Sequence, residues 1–242
     1  ATPFPASAQQ LLFHFPLDGS AGVAGSAAGD SRLYVLDGGS PPTTAPGKFG
    51  SALYFNGTTA IAMPFKLDAA TYPNVTVTAW VKVDAESTGE RTVFSAGNGN
   101  VPKLMVYGDR ANFTAARGSL MFNTGMPRDE WVFVAGVVDI ANARLHTYQG
   151  DGQLLKEGAN VSNLYPPSSY RNPDDPLLPA MPYVFVGSHG FKQWRANKMA
   201  IDEVRVYAGA LTPEHIDGIR SASSSTSRIT AKQRLPVADV EP

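Results

Sequence analysis

The side chains best suited to chemistry in this chain are acidic, and the most informative pair lies in "IDEVRVYAGALTPEHI", Ile201 to Ile216. Asp202 and Glu203 stand at the mouth of a strand whose other members are apolar. By simple alternation Asp202 shares a face with Val204 and Val206, so its carboxylate is directed to the interior or to a loop resting on it. A buried carboxylate must be paired, hydrogen-bonded or coordinated. The pattern predicts a cation or a ring of backbone N–H donors beside Asp202, or else an ion pair with Arg205 or Lys198. The other acidic clusters, "VDAESTGE" and "RNPDDP", lack the Glu-x-Asp-x-x-Glu spacing of a paired-carboxylate glycosidase strand. Asp84, Glu86 and Glu90 read as solvated charge at a strand end and turn.

Nucleophilic and metal-hydrolase templates are missing as well. There is no Gly-x-Ser-x-Gly and no His-Glu-x-x-His, and His14, His146, His189 and His215 are far apart in sequence. "LHTYQ" and "SHGFKQ" contain the residue types of a polysaccharide-lyase strand pair without the order. Sugar recognition needs something else, an aromatic face flanked by polar edges. Trp80 and Trp131 sit in alternating strands and read as core. Trp194 lies in the polar loop "GSHGFKQWRANK", where Phe191, His189 and Arg195 can gather around it. The Pro-rich stretch "NVSNLYPPSSYRNPDDPLLPAMP" adds Tyr165, Tyr170 and Arg171, either to that surface or to a lid that buries its own tyrosines.

These residues are carried by short strands. "LLFHFPL" opens the series, and "SALYFNGTTAIAMPF" reads as a hairpin around Asn-Gly. "NVTVTAWVKV" alternates strictly, with Val75, Val77, Ala79, Val81 and Val83 on one face. Further strands follow in "RTVFS", "PKLMVY", "ANFTA", "SLMF", "WVFVAGVVD", "ARLHTYQ", "QLLKEG" and "YVFV". "LTPEHIDGIR" is the one helix, with Thr212 as N-cap, Pro213 in the first position and Glu214 in the first turn. Helical crossovers for parallel pairing are missing, so an all-β, antiparallel two-sheet sandwich with one short C-terminal helix is expected. Residues 1–220 form one domain in this reading, and the Ser-rich 221–242 a tail or linker.

With 20 basic against 21 acidic residues, the chain carries no electrostatic footprint for nucleic acid or an anionic membrane. No cysteine means no disulfide, thiol catalysis or thiolate site. No apolar run reaches the length of a membrane span. N-x-S/T sequons begin at Asn56, Asn74, Asn112 and Asn160.

The order of the segments resembles the concanavalin A-like lectin/glucanase superfamily, specifically its laminin-G-like jelly rolls. "FHFPLDGS" with the later "AAGDS" resembles the opening strand and its Asp loop. "GKFGSALYFNG" resembles the hallmark Gly-x-x-Gly-x-Ala-Leu-x-Phe-[Asn/Asp]-Gly run, and "VTVTAWVKV" the central strand with its Ala-Trp. "EWVFVAGVVD", "ARLHTYQGDGQLL" and "MAIDEVRVYAGALTPEHI" match the Trp strand, the hairpin after it and the closing strand with its helix. The resemblance implies a jelly roll over residues 11–220. The missing catalytic dyads, the Ser-rich 221–242 and the aromatic loop around Trp194 favour a non-catalytic module that binds glycan or a protein partner, in a secreted, periplasmic or cell-surface protein. A polysaccharide-degrading enzyme of the same fold and a structural accessory domain are the alternatives. One structural Ca²⁺ between the early Asp loop and the closing strand is also implied, at Asp30 and Asp202 with Asp18 as a third candidate. Self-association as a homodimer, through edge strands or sheet backs, is the default oligomer.

Overall fold

The computed structural model describes residues 9–20, 22–23, 25, 29–36, 39–67, 71–97, 101–115, 118–140, 142–151, 153, 155–160, 183–190 and 195–222. The strands are β1 (Gln10–Phe15), β2 (Arg32–Val35), β3 (Thr43–Pro46), β4 (Ser51–Asn56), β5 (Thr59–Pro64), β6 (Asn74–Val83), β7 (Glu90–Ser95) and β8 (Lys103–Tyr107). They continue with β9 (Arg110–Ala115), β10 (Gly118–Met121), β11 (Trp131–Asp139), β12 (Arg144–Gly150), β13 (Leu155–Asn160), β14 (Tyr183–Val186) and β15 (Asn197–Ala208). Helix α1 (Pro213–Ala222) follows. Two antiparallel sheets form a jelly-roll sandwich, as the strand pattern predicts. One sheet runs β13-β12-β11-β6-β15-β4-β3, with β1 also on β15, and the other β10-β9-β8-β7-β14-β5-β2.

The alternating valines of β6 and β11 point between the sheets, where they meet Leu104, Val106, Phe113 and Val184 from the facing sheet. One close approach across this core requires a glycine. A Cβ added to Gly136 on β11 would lie 2.0 Å from Cδ2 of Phe113 on β9. We expect Gly136→Ala to force the two sheets apart locally and cost roughly 1–3 kcal/mol, read as a lower urea midpoint with an unchanged m-value.

The Asn-Gly pair corrects one expectation. β4 and β5 do not form a hairpin: β4 pairs with β3 and β15, whereas β5 pairs with β2 and β14 in the other sheet. The turn is a corner between sheets. Asn56 closes it by donating Nδ2–H to the Ser40 carbonyl and accepting from the Thr58 N–H and hydroxyl. Every residue of β5 before Pro64 is buried, so the segment has no solvent face to share with a hairpin partner.

The outer face of the β6 sheet holds a second apolar layer. Leu211 and Ile216 from the helix region bury Trp80, Phe133, Val137 and Tyr148 there. The helix begins as its sequence predicts, with the Thr212 hydroxyl accepting from the His215 N–H and Ile216 N–H bonding the Thr212 carbonyl.

Candidate functional site

Asp202 does not share a face with Val204. The β15–β6 register runs Asp202 to Trp80 and then Arg205 to Thr78, so one extra residue is accommodated between them. Glu203 absorbs the bulge with φ of 55°. Met199, Ile201, Val204 and Val206 all reach the inner core, while Asp202 stands opposite Trp80, on the outer face.

There it is covered by the turn before β4. The Phe49 N–H donates to Asp202 Oδ2 at 3.1 Å, and the Ser51 N–H to Asp18 Oδ1 at 3.0 Å. Glycine is needed at the turn's first position, because a Cβ on Gly47 would lie 2.6 Å from the Ser51 carbonyl oxygen and 2.8 Å from Asp202 Oδ2. The turn is pinned from above by its side chains. Phe49 meets Trp80 edge-on, and Lys48 Nζ lies 4.2 Å from the Trp80 ring centre and 2.9 Å from Asp151 Oδ1. Asp202 is fully buried and its Oδ1 has no hydrogen-bond partner. Burial pushes its carboxyl up to about 7, with the Glu203 and Asp18 charges adding and the Phe49 and Lys48 amides opposing.

Of the partners expected for Asp202, the backbone N–H donors are present and the ion pairs are not. Arg205 binds Glu203, which His14 Nε2 also meets at 2.9 Å, and Lys198 pairs with Glu86. The Glu86 side chain is 84% exposed, so this pair lies in solvent, as its turn position predicts. Asp84 accepts the Tyr54 hydroxyl, whose pKa burial and that bond raise to about 12. The Asp30 carboxylate is exposed and pairs with Arg32. Among the described residues, no group of three or more His, Asp or Glu side chains is placed to hold a metal ion.

The aromatic-loop candidates divide in two. Phe191, Trp194, Tyr170 and Arg171 lie outside the described residues, as does Tyr165. His189 is buried, and burial together with the nearby Lys103 charge pushes its imidazole down to about 3, so it is neutral. Arg195 donates to the Gly57 carbonyl at 3.4 Å, at the corner between β4 and β5.

The structure shows a further polar surface that the motifs did not single out. Arg144, His146 and Tyr148 succeed one another on the outward face of β12. They stand opposite Asp139, Val137 and Ala135 on β11, and opposite Asn160, Gly158 and Lys156 on β13. Beside Arg144 and His146, Asp139 and Asn142 complete an open depression of about 450 Å³, within the size range of small-ligand sites. Beyond Tyr148 a second depression is bounded by Gln153, Lys156, Glu214, Asp217 and Arg220. The two-residue spacing of Arg144, His146 and Tyr148 against buried Leu145 and Thr147 was the available signal.

Two antiparallel sheets, a helix sealing one outer face and a closing-strand Asp under a glycine turn define a concanavalin A-like jelly roll. The chain belongs to the laminin-G-3 family of the concanavalin A-like lectin/glucanases superfamily, whose model matches residues 55–217. A search of curated protein sequences found no match. Among solved structures, domain 4 of AbnA, a GH43 extracellular arabinanase from Geobacillus stearothermophilus in complex with arabinotriose, is similar. It has 21% identity and a TM-score of 0.62, over 88% of this chain and 98% of that one. The receptor binding domain of botulinum neurotoxin mosaic serotype C/D has 13% identity and a TM-score of 0.61, over 88% of this chain and 51% of its own. The binding domain of botulinum neurotoxin DC in complex with SialylT has 12% identity and a TM-score of 0.60, over 91% and 53%. The chain therefore spans about half the length of these toxin domains, and at such identities the likeness is one of fold.

Proposed function

We propose that this chain is a non-catalytic glycan-binding module of an extracellular or surface protein. The observation that carries this reading is the open polar surface along β12. Carboxylate, guanidinium and imidazole groups stand there on paired strands, with the Asn142 amide in the turn beside them, the arrangement that sugar hydroxyls need to exchange several hydrogen bonds at once. The arabinanase domain of the same fold, in complex with arabinotriose, supports it. Trp194 and Phe191, with Tyr170 and Arg171, are a proposed additional stacking surface.

The test is a glycan array followed by titration calorimetry with the strongest hit. Asn142→Ala combined with His146→Ala is expected to weaken binding at least tenfold, about 1.4 kcal/mol, at an unchanged Tm. An array with no hit would overturn the reading. Undiminished binding by the double variant would remove the β12 surface from it and turn attention to Trp194.

A structural Ca²⁺ is proposed for the Asp202 turn. An orphaned, buried carboxylate oxygen with a second carboxylate acting on it fits a hard cation, which Asp202 and Asp18 would hold with loop carbonyls.

A further inference from the structure

Arg91 is a cation that the fold buries completely. It stands on β7 opposite Val106, a core residue, so its guanidinium enters the end of the space between the sheets. Three segments meet there: residues 84–89, which carry the chain from β6 to β7, the turn at Gly108, and the stretch before β11. Arg91 Nη1 donates to Ser87 Oγ at 2.7 Å, and Nη2 donates to the Gly108 carbonyl. Ser87 is itself fixed, its hydroxyl donating to the Asn197 carbonyl at 2.9 Å. Arg91 Nε is buried with no hydrogen-bond partner.

A second guanidinium adjoins the first. Arg128 Nη1 donates to the Ser87 and Asp84 carbonyls at 3.1 and 3.4 Å. Every acceptor of the two arginines is thus a neutral oxygen, and among the described residues neither has a carboxylate within ion-pair distance. The acids nearest in sequence turn elsewhere. Asp84 takes the Tyr54 hydroxyl, Glu86 pairs with Lys198, and Glu90 stands opposite exposed Tyr107. Asp109 lies 3.7 Å from Arg110 Nε, and Asp129 accepts the Ala85 N–H at 3.2 Å. Burial, and after it the Arg128 charge, hold the Arg91 pKa down at about 10, with no carboxylate offsetting them. The guanidinium still keeps its proton at neutral pH. Buried charges in folded proteins are paired or coordinated, yet here the chain supplies two cations and no anion.

We infer that a small inorganic anion, of the size and charge of chloride, binds between the Nε edge of Arg91 and Arg128. The inference is independent of the glycan-binding reading. A carboxylate or phosphate calls for the two parallel N–H groups of a guanidinium fork. At Arg91 the two outer nitrogens are already held by Ser87 and Gly108, which leaves the single Nε–H, and one N–H suits a monatomic ion. Arg128 is half-buried, so it forms the side from which the ion enters. Once bound, the ion ties the 84–89 turn to the Arg128 stretch and stabilises the junction between the sheets.

The experiment replaces sodium gluconate by sodium chloride at constant ionic strength and pH, and follows the Tm of the intact protein. Binding to the folded state alone is expected to raise the Tm by several degrees once chloride reaches about one hundred times its Kd. The nuclear resonance of chloride should broaden in the presence of the protein. Arg128→Gln should abolish both responses, Arg128→Lys should restore part of them, and Arg32→Gln, which removes an exposed cation on β2, should leave them intact. A Tm that does not depend on the anion, with no broadening, would overturn the inference. So would responses that survive Arg128→Gln. Should Arg128→Gln fail to fold, the broadening by the wild-type protein and its weakening in Arg128→Lys decide the matter, and a resonance equally broad with both proteins would overturn the site.

Discussion

Asp202→Asn is expected to become progressively more stable than the wild-type protein as the pH rises from about 4 to about 7 in EDTA. The sign follows from proton binding. The folded carboxyl keeps its proton to about 7, whereas the unfolded one releases it near 3.8, so between those values the folded state holds more protons. Its contribution is then complete below the unfolded value and lost as the pH rises through the folded one. Asparagine mimics the protonated acid and removes that loss. At about 1.4 kcal/mol per pH unit of displacement, the variant gains as much as about 4 kcal/mol above pH 7, or roughly 10 °C in Tm.

The comparison must be made as a difference, because His189 acts the other way. Its folded pKa is depressed to about 3 from 6.5, so its contribution is present above the unfolded value and lost as the pH falls. Between about 4 and 6.5 the two groups offset one another in the wild-type curve. Millimolar calcium decides what neutralises Asp202. If a cation sits there, calcium raises the wild-type Tm by several degrees above pH 7 and leaves the Asn variant unmoved. No shift would mean that the turn's amides hold the carboxylate alone.

The second large effect is expected at Trp80. Among the described residues it heads the fully buried side chains by volume, and it lies outside the main core, under Phe49, Lys48 and the helix layer. Trp80→Ala should cost about 3–5 kcal/mol in denaturant unfolding. It should also release the Gly47–Ser51 turn whose amides reach Asp202 and Asp18. The variant's acid–base profile should therefore move toward that of Asp202→Asn, a coupling that a double-mutant cycle reads directly. Additive losses would show that turn and indole are energetically independent.

Much of this fold is written in local patterns. The valines of β6 and β11 alternate because one side faces the sandwich, and Thr212 with Pro213 marks the helix start through capping chemistry. Two features escaped for physical reasons. Asn-Gly specifies a tight turn but not which sheet the chain enters next; the continuous burial of Thr59–Met63 was the cue that the turn is a corner. Parity along β15 failed at Glu203, since a residue other than glycine at positive φ leaves no mark in composition. Alternation marks Asp202 as a carboxylate needing company, yet places it on the wrong face. The β12 surface was missed because a site on a sheet is spread over neighbouring strands, and sequence order hides which residues stand side by side.

The long strand β15 also has a consequence in time. It pairs with β6 along most of its length, and on its other side with β4 through Asn197–Ile201 and β1 through Val204–Ala208. The first strand of the sheet thus waits for a partner about two hundred residues downstream, so the loop that must close is nearly the whole domain. Folding of such a topology is slow. On a ribosome adding roughly 5–20 residues per second, β1, β4 and β6 stay without their common neighbour until Ala208 has been made. Emergence of β15, rather than of any earlier strand, should set the moment at which the domain resists proteolysis.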